Sequence, residues 1–119
     1  MIKTDILIIG AGPVGLFAVF EAGLLKMKCH LIDILPKPGG QCIELYPKKP
    51  IYDIPAYPEI LAGDLIENLL KQNSQFKPGF TLGEKAKKLL KNDDGSFTVV
   101  TNKGTSHQAP IVVIAGGLG

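Results

Sequence analysis

Residues Ile6-Leu7-Ile8-Ile9 follow Asp5 with no polar alternation. That is how a strand buried on both faces of a parallel sheet reads, and it predicts a strand over Asp5–Ile9. The chain then turns through Gly10-Ala11-Gly12-Pro13-Val14-Gly15 into a mostly apolar stretch. A helix is predicted from Pro13 to Leu25, since proline fits a first helical turn. Gly15, Ala18 and Ala22 recur at helical spacing and would let that helix lie close to a sheet. Cys29–Ile34 reads as a second short apolar strand with Asp33 near its end. Ala62–Asn73 is amphipathic, with Leu65, Ile66, Leu69 and Leu70 on one face and Glu67, Lys71 and Gln72 on the other. Phe80-Thr81-Leu82 predicts another short strand.

Three strand patterns follow, Lys85–Leu90, Ser96–Thr101 and Thr105–Gln108. Asn92-Asp93-Asp94-Gly95 and Asn102-Lys103-Gly104 separate them with the Asx-Gly chemistry that closes hairpins. This predicts a three-stranded antiparallel meander. Ile111–Ile114 is a further buried strand, running into Ala115-Gly116-Gly117-Leu118-Gly119. Between the second strand and the amphipathic helix, Leu35–Glu59 has no period and holds six prolines. A structureless stretch of that length is usually functional or disordered. Tyr46, Ile51, Tyr52, Ile54 and Tyr57 argue against disorder.

Composition narrows the class. The chain has 119 residues, 45% apolar and 20% charged, which fits one folded domain. All 13 of its basic residues are lysines, and with 11 acids the net charge is +2. That charge is too small for a nucleic-acid surface, and without arginine there is no bidentate readout. Two cysteines, Cys29 and Cys42, cannot make a disulfide framework or a zinc site by themselves, and no metal ligands are assigned. The longest apolar run, Ile6–Phe20, is short for a membrane span and contains Pro13. No secretory signal is evident. A soluble, cytoplasmic protein with no nucleic-acid or membrane partner is expected. A strand running into a glycine turn is an unusual place for a domain to stop, so residues 1–119 are read as the first segment of a longer chain. On that reading Ile6–Ile9 and Ile111–Ile114 would lack the partners expected from the rest of the domain and leave apolar edges open to self-association.

Gly10, Gly12 and Gly15 form G-x-G-x-x-G between a buried strand and a helix, and Asp33 follows 18 residues after Gly15 at the next strand's end. Each position has a physical task. Gly10 permits the tight turn, Gly12 lets backbone reach a pyrophosphate, and Gly15 lets helix and strand pack closely. The helix start at Pro13 has a partial positive charge and, from Val14 onward, offers oriented N–H groups. Asp33 can accept from a ribose diol and would repel a 2′-phosphate. Gly10, Gly12, Pro13, Val14, Gly15 and Asp33 are therefore the candidate contacts for the adenosine half of FAD or NAD, not NADP. The fold class is α/β: a Rossmann-like FAD/NAD(P)-binding domain, a parallel sheet with a three-stranded antiparallel meander. A meander in place of a crossover helix resembles the flavoproteins with two dinucleotide-binding domains, which favours FAD.

Residues 39–58, Gly-Gly-Gln-Cys-Ile-Glu-Leu-Tyr-Pro-Lys-Lys-Pro-Ile-Tyr-Asp-Ile-Pro-Ala-Tyr-Pro, sharpen that likeness. With residues 5–17 and 31–36 they resemble the thioredoxin-reductase-like ferredoxin–NADP⁺ reductases; residues 74–110 match in layout more than in letters. The resemblance implies an FAD-binding domain interrupted by an NADPH domain. Residues 1–119 would then be the first FAD segment, with the NADPH domain and the C-terminal FAD segment absent. It implies electron transfer between NADPH and ferredoxin or a similar small redox protein, in a homodimer. It also implies that Asp33 binds the adenosine ribose, Gln41 touches the flavin or its ribityl side, Tyr46 stacks on the isoalloxazine ring, and Ala86 meets the adenine through its backbone. Asp53 is a further flavin-side candidate, with a hydrogen bond to loop backbone as its alternative role. No residue of this segment is assigned a catalytic role, because the chemistry belongs to the cofactor. The isolated segment is expected to be inactive.

Two rival readings remain. A glutathione-reductase-like enzyme would carry C-x-x-x-x-C after the Gly-Gly loop, but Pro47 stands where the partner of Cys42 should be. A thioredoxin reductase, whose dithiol lies in its nicotinamide domain, is harder to separate, and a non-catalytic nucleotide-binding fragment is the other alternative. Cys29 is expected in the core and Cys42 to be a bland loop residue. Lys37, Lys48 and Lys49 are read as solvated, with docking of an acidic partner as the alternative. His30 and His107 lie in no acid–histidine constellation and are expected to be ordinary.

Overall fold

The structure, a computed structural model, describes residues 1–117; Leu118 and Gly119, the end of the last predicted glycine turn, lie outside the described residues. The elements in order are β1 (Ile2–Lys3), β2 (Ile6–Ile9), α1 (Pro13–Leu24), β3 (Cys29–Asp33), α2 (Gln41–Glu44), β4 (Pro50–Ile51), β5 (Ile60–Leu61), α3 (Ala62–Asn73), a 3₁₀ turn (Ser74–Phe76), β6 (Gly79–Leu82), β7 (Ala86–Lys91), β8 (Phe97–Thr101), β9 (Ser106–Ala109) and β10 (Ile111–Ile114). The predicted helices and strands all form, with ends moved by a residue or two.

β2 sits inside a four-stranded parallel sheet of order β10-β2-β3-β6, with Ile6 beside Cys29 on one side and Ile111 on the other. Its lack of alternation has a direct cause, because both faces are covered. Ile6 and Ile8 point to the helix side and pack with Leu16, Val19, Leu31, Leu65, Ile66 and Leu69. Leu7 points the other way, to Ile32, Val99 and Ala109. The second layer is the meander β7-β8-β9, extended by β1, which lies parallel to β9. β1 escapes sequence reading because two residues, Ile2 and Lys3, carry no period.

The two strands expected to lack partners from the rest of the domain pair with each other. The chain returns after the meander and lays β10 against β2, so β2 is paired on both sides. Of the two, β10 is an edge, with Ile111 and Ile114 exposed. On the helix side, the buried Asn73 Nδ2 donates to the Leu16 carbonyl at 2.6 Å and ties α3 to α1.

Leu35–Glu59 is ordered by short pieces. α2 follows Gly40, β4 pairs with β5, and Ile54 bridges Tyr57. Ile43, Ile51 and Ile54 pack against the helix-side core. The Ala62 and Gly63 N–H groups donate to the Lys49 and Pro47 carbonyls, fastening the loop to the start of α3.

Candidate functional site

The turn between β2 and α1 is shaped by contacts that leave no room for side chains. Gly10 has φ +113°, and a Cβ there would lie 2.1 Å from the Ala115 carbonyl oxygen. A Cβ on Gly15 would lie 2.1 Å from the Gly10 carbonyl oxygen. Both neighbours are backbone and cannot swing away, so the two glycines act as read from the motif. Gly12 differs: its nearest neighbour in the Cβ direction is Gly40 Cα at 3.9 Å. Space is open there. α1 starts from Gly12 with no side-chain cap and no acid in its first turn, and Pro13 fills a first-turn position that needs no donor. The first-turn N–H groups and the positive end of the helix dipole are left for an anion. Val14 is exposed beside them.

Asp33, half-buried at the end of β3, braces this turn. Its Oδ2 accepts from the Ala11 N–H at 2.7 Å and its Oδ1 from the Leu35 N–H at 3.0 Å. Each carboxylate oxygen retains a second acceptor site, so a diol can still be bound. Sequence reading placed Asp33 as a ligand-facing acid and missed its hold on the glycine turn.

The other candidates extend from Asp33 in two directions. On one side the Gly39 N–H donates to the Ala11 carbonyl at 2.7 Å, which presses the Gly39–Gly40 loop against the glycine turn. Beyond Gly40, Gln41, Cys42, Tyr46, Lys49, Tyr52 and Asp53 line a cleft of about 430 Å³. Tyr46 is 47% exposed, and the Lys49 ammonium stands over its ring, 5.1 Å from the centroid. Asp53 is exposed and shares the cleft with Tyr46. On the other side the Gly83 and Glu84 N–H groups donate to the Leu35 and Asp33 carbonyls, bringing the start of β7 beside Asp33. Ala86 opens that strand at a bulge in its pairing with β8, and it packs against the meander-side core. A larger hollow of about 540 Å³ lies elsewhere, over Tyr57, Glu59, Asp64, Glu67 and Asn68. Its three carboxylates make it a poor place for a pyrophosphate.

Neither cysteine is activated. Burial, then the nearby Asp5 carboxylate, push the buried Cys29 thiol up to about 11. Burial raises Cys42 too, against a smaller opposing pull from Lys49. Both thiols stay protonated at neutral pH, which disfavours thiolate chemistry. Among the described residues, no three His, Cys, Asp or Glu side chains converge as a metal site, and no helix is long and apolar enough to cross a membrane. One polar cluster escaped sequence reading altogether. His30, Thr81 and His107 meet from β3, β6 and β9, strands whose contact no local spacing reveals.

Comparison with known proteins places this geometry. No protein-family model matches the chain. Over all 119 residues it is 77% identical to ferredoxin–NADP reductase 2 of Christiangramia forsetii and 70% identical to ferredoxin–NADP reductase of Flavobacterium johnsoniae, covering 34% of each. The chain thus spans about a third of the length of these curated relatives. Among solved structures, thioredoxin reductase from Streptococcus pyogenes superposes with a TM-score of 0.81 at 27% identity, over 97% of this chain and 35% of that one. The resemblance read from residues 5–17, 31–36 and 39–58 therefore extends along the whole chain: it is similar in sequence to ferredoxin–NADP reductases and has the Rossmann-like α/β fold of thioredoxin reductase.

Proposed function

We propose that residues 1–119 are the first FAD-binding segment of a flavoprotein oxidoreductase that passes electrons between NADPH and ferredoxin. The observation that carries this reading is the identity of 77% along the entire chain to a protein named ferredoxin–NADP reductase. The geometry agrees with it. Gly12 and the uncapped start of α1 would take the pyrophosphate, with Val14 and Gly15 supplying N–H donors. Asp33 would accept from the adenosine ribose while bracing Ala11. The backbone around Ala86 would meet the adenine, and Gln41, Tyr46 and Asp53 would face the flavin across their shared cleft.

When bound, the flavin supplies two-electron acceptance and one-electron release. The protein's part is to hold and orient it. Tyr46 offers a ring face and a hydroxyl, and Gln41 offers an amide that donates and accepts. NADPH would be held by a further domain, since this chain has one dinucleotide fingerprint and its Asp33 disfavours a 2′-phosphate. The proposal extends to a homodimer in the cytoplasm, with ferredoxin or a similar small redox protein as acceptor. Protonated thiols and Pro47 weigh against a dithiol relay in this segment.

A graft tests the proposal. These 119 residues would replace the matching third of the Christiangramia forsetii reductase, and flavin content and NADPH-dependent reduction of ferredoxin would be measured. The expected product holds FAD and turns over near the rate of the ungrafted enzyme. A folded graft without flavin would overturn the reading.

A further inference from the structure

The interface between the parallel sheet and the meander is thinner than the helix-side core. Its fully apolar part is Leu7, Ile32, Val99 and Ala109. Beside them lie three polar groups. Thr81 Oγ1 is 2.7 Å from His30 Nε2 and 2.9 Å from His107 Nε2, and the imidazole centroids are 5.1 Å apart. His107 is wholly buried and Thr81 nearly so. His107 Nδ1 faces the Val99 carbonyl at 3.3 Å.

Donor counting orients this chain. A carbonyl only accepts, so His107 Nδ1 carries the hydrogen and its Nε2, in the neutral ring, is bare. Thr81 must then donate its single hydroxyl hydrogen to His107 Nε2. Its oxygen accepts from His30, which is thereby the Nε2–H tautomer with Nδ1 bare. That Nδ1 lies over Gly79, close enough that a Cβ there would collide with it. Every hydrogen has one acceptor, and the order holds only when the His107 ring is neutral. A proton added to His107 Nε2 displaces the Thr81 hydroxyl hydrogen, which then has no acceptor. A proton added to His30 enters at the bare Nδ1 and puts a charge in a half-buried site 5.1 Å from the other imidazole, so that both rings cannot readily be charged together.

We propose that His30, Thr81 and His107 form a proton-sensitive latch that holds the meander against the parallel sheet and lets go in acid. The titratable groups that bear on the pair are the other imidazole and, on the β6–β7 connection, Glu84. Burial lowers the pKa of His107 and outweighs the Val99 carbonyl and Glu84, which favour its charged form. Glu84 is itself engaged by the Thr101 and Thr105 hydroxyls. Burial, and secondarily His107, bring His30 down to about 4 from 6.5. Both folded values lie below the unfolded one, so the latch is at full strength above about pH 6.5 and weakens as pH falls towards about 4.

Nitrogen-15 spectra of the histidine-labelled chain at pH 7.5 should show His107 as the Nδ1–H and His30 as the Nε2–H tautomer. Amide exchange, corrected for its intrinsic pH dependence, should show β7–β9 losing protection about tenfold or more between pH 7.5 and 4.5 relative to β2 and β3. His107→Gln cannot titrate and should remove most of that selective loss; if it does not fold, His30→Gln at the less buried site serves the same purpose. The reversed tautomers, equal loss in both sheets, or a selective loss undiminished in His30→Gln would each overturn the latch. None of these readouts involves flavin, so the result stands apart from the proposed function.

Discussion

At the Gly10–Gly15 turn the chain's own backbone fills the space, whereas around Tyr46 the chain leaves space open. A Cβ at Gly10 or Gly15 would collide with a carbonyl oxygen at 2.1 Å. Tyr46 and Asp53, by contrast, stand on an exposed loop around a cleft. The first region is built by the requirements of folding; the second, on the proposed function, by those of a ligand. Gly12 lies between the two, a motif glycine with open space above it. A change at the turn should therefore disturb fold and ligand together, and a change at the loop the ligand alone.

The largest effect on folding is expected at Gly10 and Gly15. Gly15→Val forces a branched side chain into the Gly10 carbonyl and should cost about 1–3 kcal/mol or more by overpacking. Gly10→Ala adds about 1–3 kcal/mol of left-handed strain to a similar clash. Denaturant titration followed by circular dichroism measures both. Asp33→Ala comes next. It leaves the Ala11 and Leu35 N–H groups without their acceptor, for about 1–3 kcal/mol, and removes the proposed ribose acceptor as well. The comparison sharpens if Asp33→Ala lowers both the melting temperature and flavin affinity.

Tyr46→Ala removes an exposed ring, and stability should stay within about 0.5 kcal/mol. In the grafted reductase it should change flavin fluorescence, because a stacked phenol quenches it. A loss of fold in Tyr46→Ala would break the contrast between the two regions. The smallest effect is expected from Cys42→Ser, whose thiol is protonated and half-buried. Flavin content and ferredoxin reduction should both survive, and loss of turnover with flavin retained would reinstate a thiol mechanism.

The glycine turn was legible because its cause is local. Ile6–Ile9, three glycines and a helix start lie within ten residues, and each residue type has one steric reason to be there. Asp33 was legible as a motif position, but its bonds to Ala11 and Leu35 come from the path of the backbone after β3. The meander was read from Gly95 and Gly104, each of which adopts positive φ in its turn. α2 and the β4–β5 pair were not read, because four- and two-residue elements among prolines have no period. The closure of β2 by β10, and the meeting of His30, Thr81 and His107, depend on pairings between strands far apart in the chain. Tyr46, Gln41, Asp53 and Ala86 came from family resemblance; the structure sets the first three in the cleft beyond Gly40 and Ala86 at the start of β7.

On the proposed function, the space above Gly12 belongs to the pyrophosphate of FAD. Gly12→Val in the grafted reductase tests it most directly, read as bound flavin per folded protein. The nearest neighbour in the Cβ direction is 3.9 Å away, so the variant should fold and melt close to the parent. Its valine side chain would occupy the pyrophosphate's place, so FAD should be lost while circular dichroism is unchanged. A folded Gly12→Val protein that retains its full complement of FAD would contradict the account.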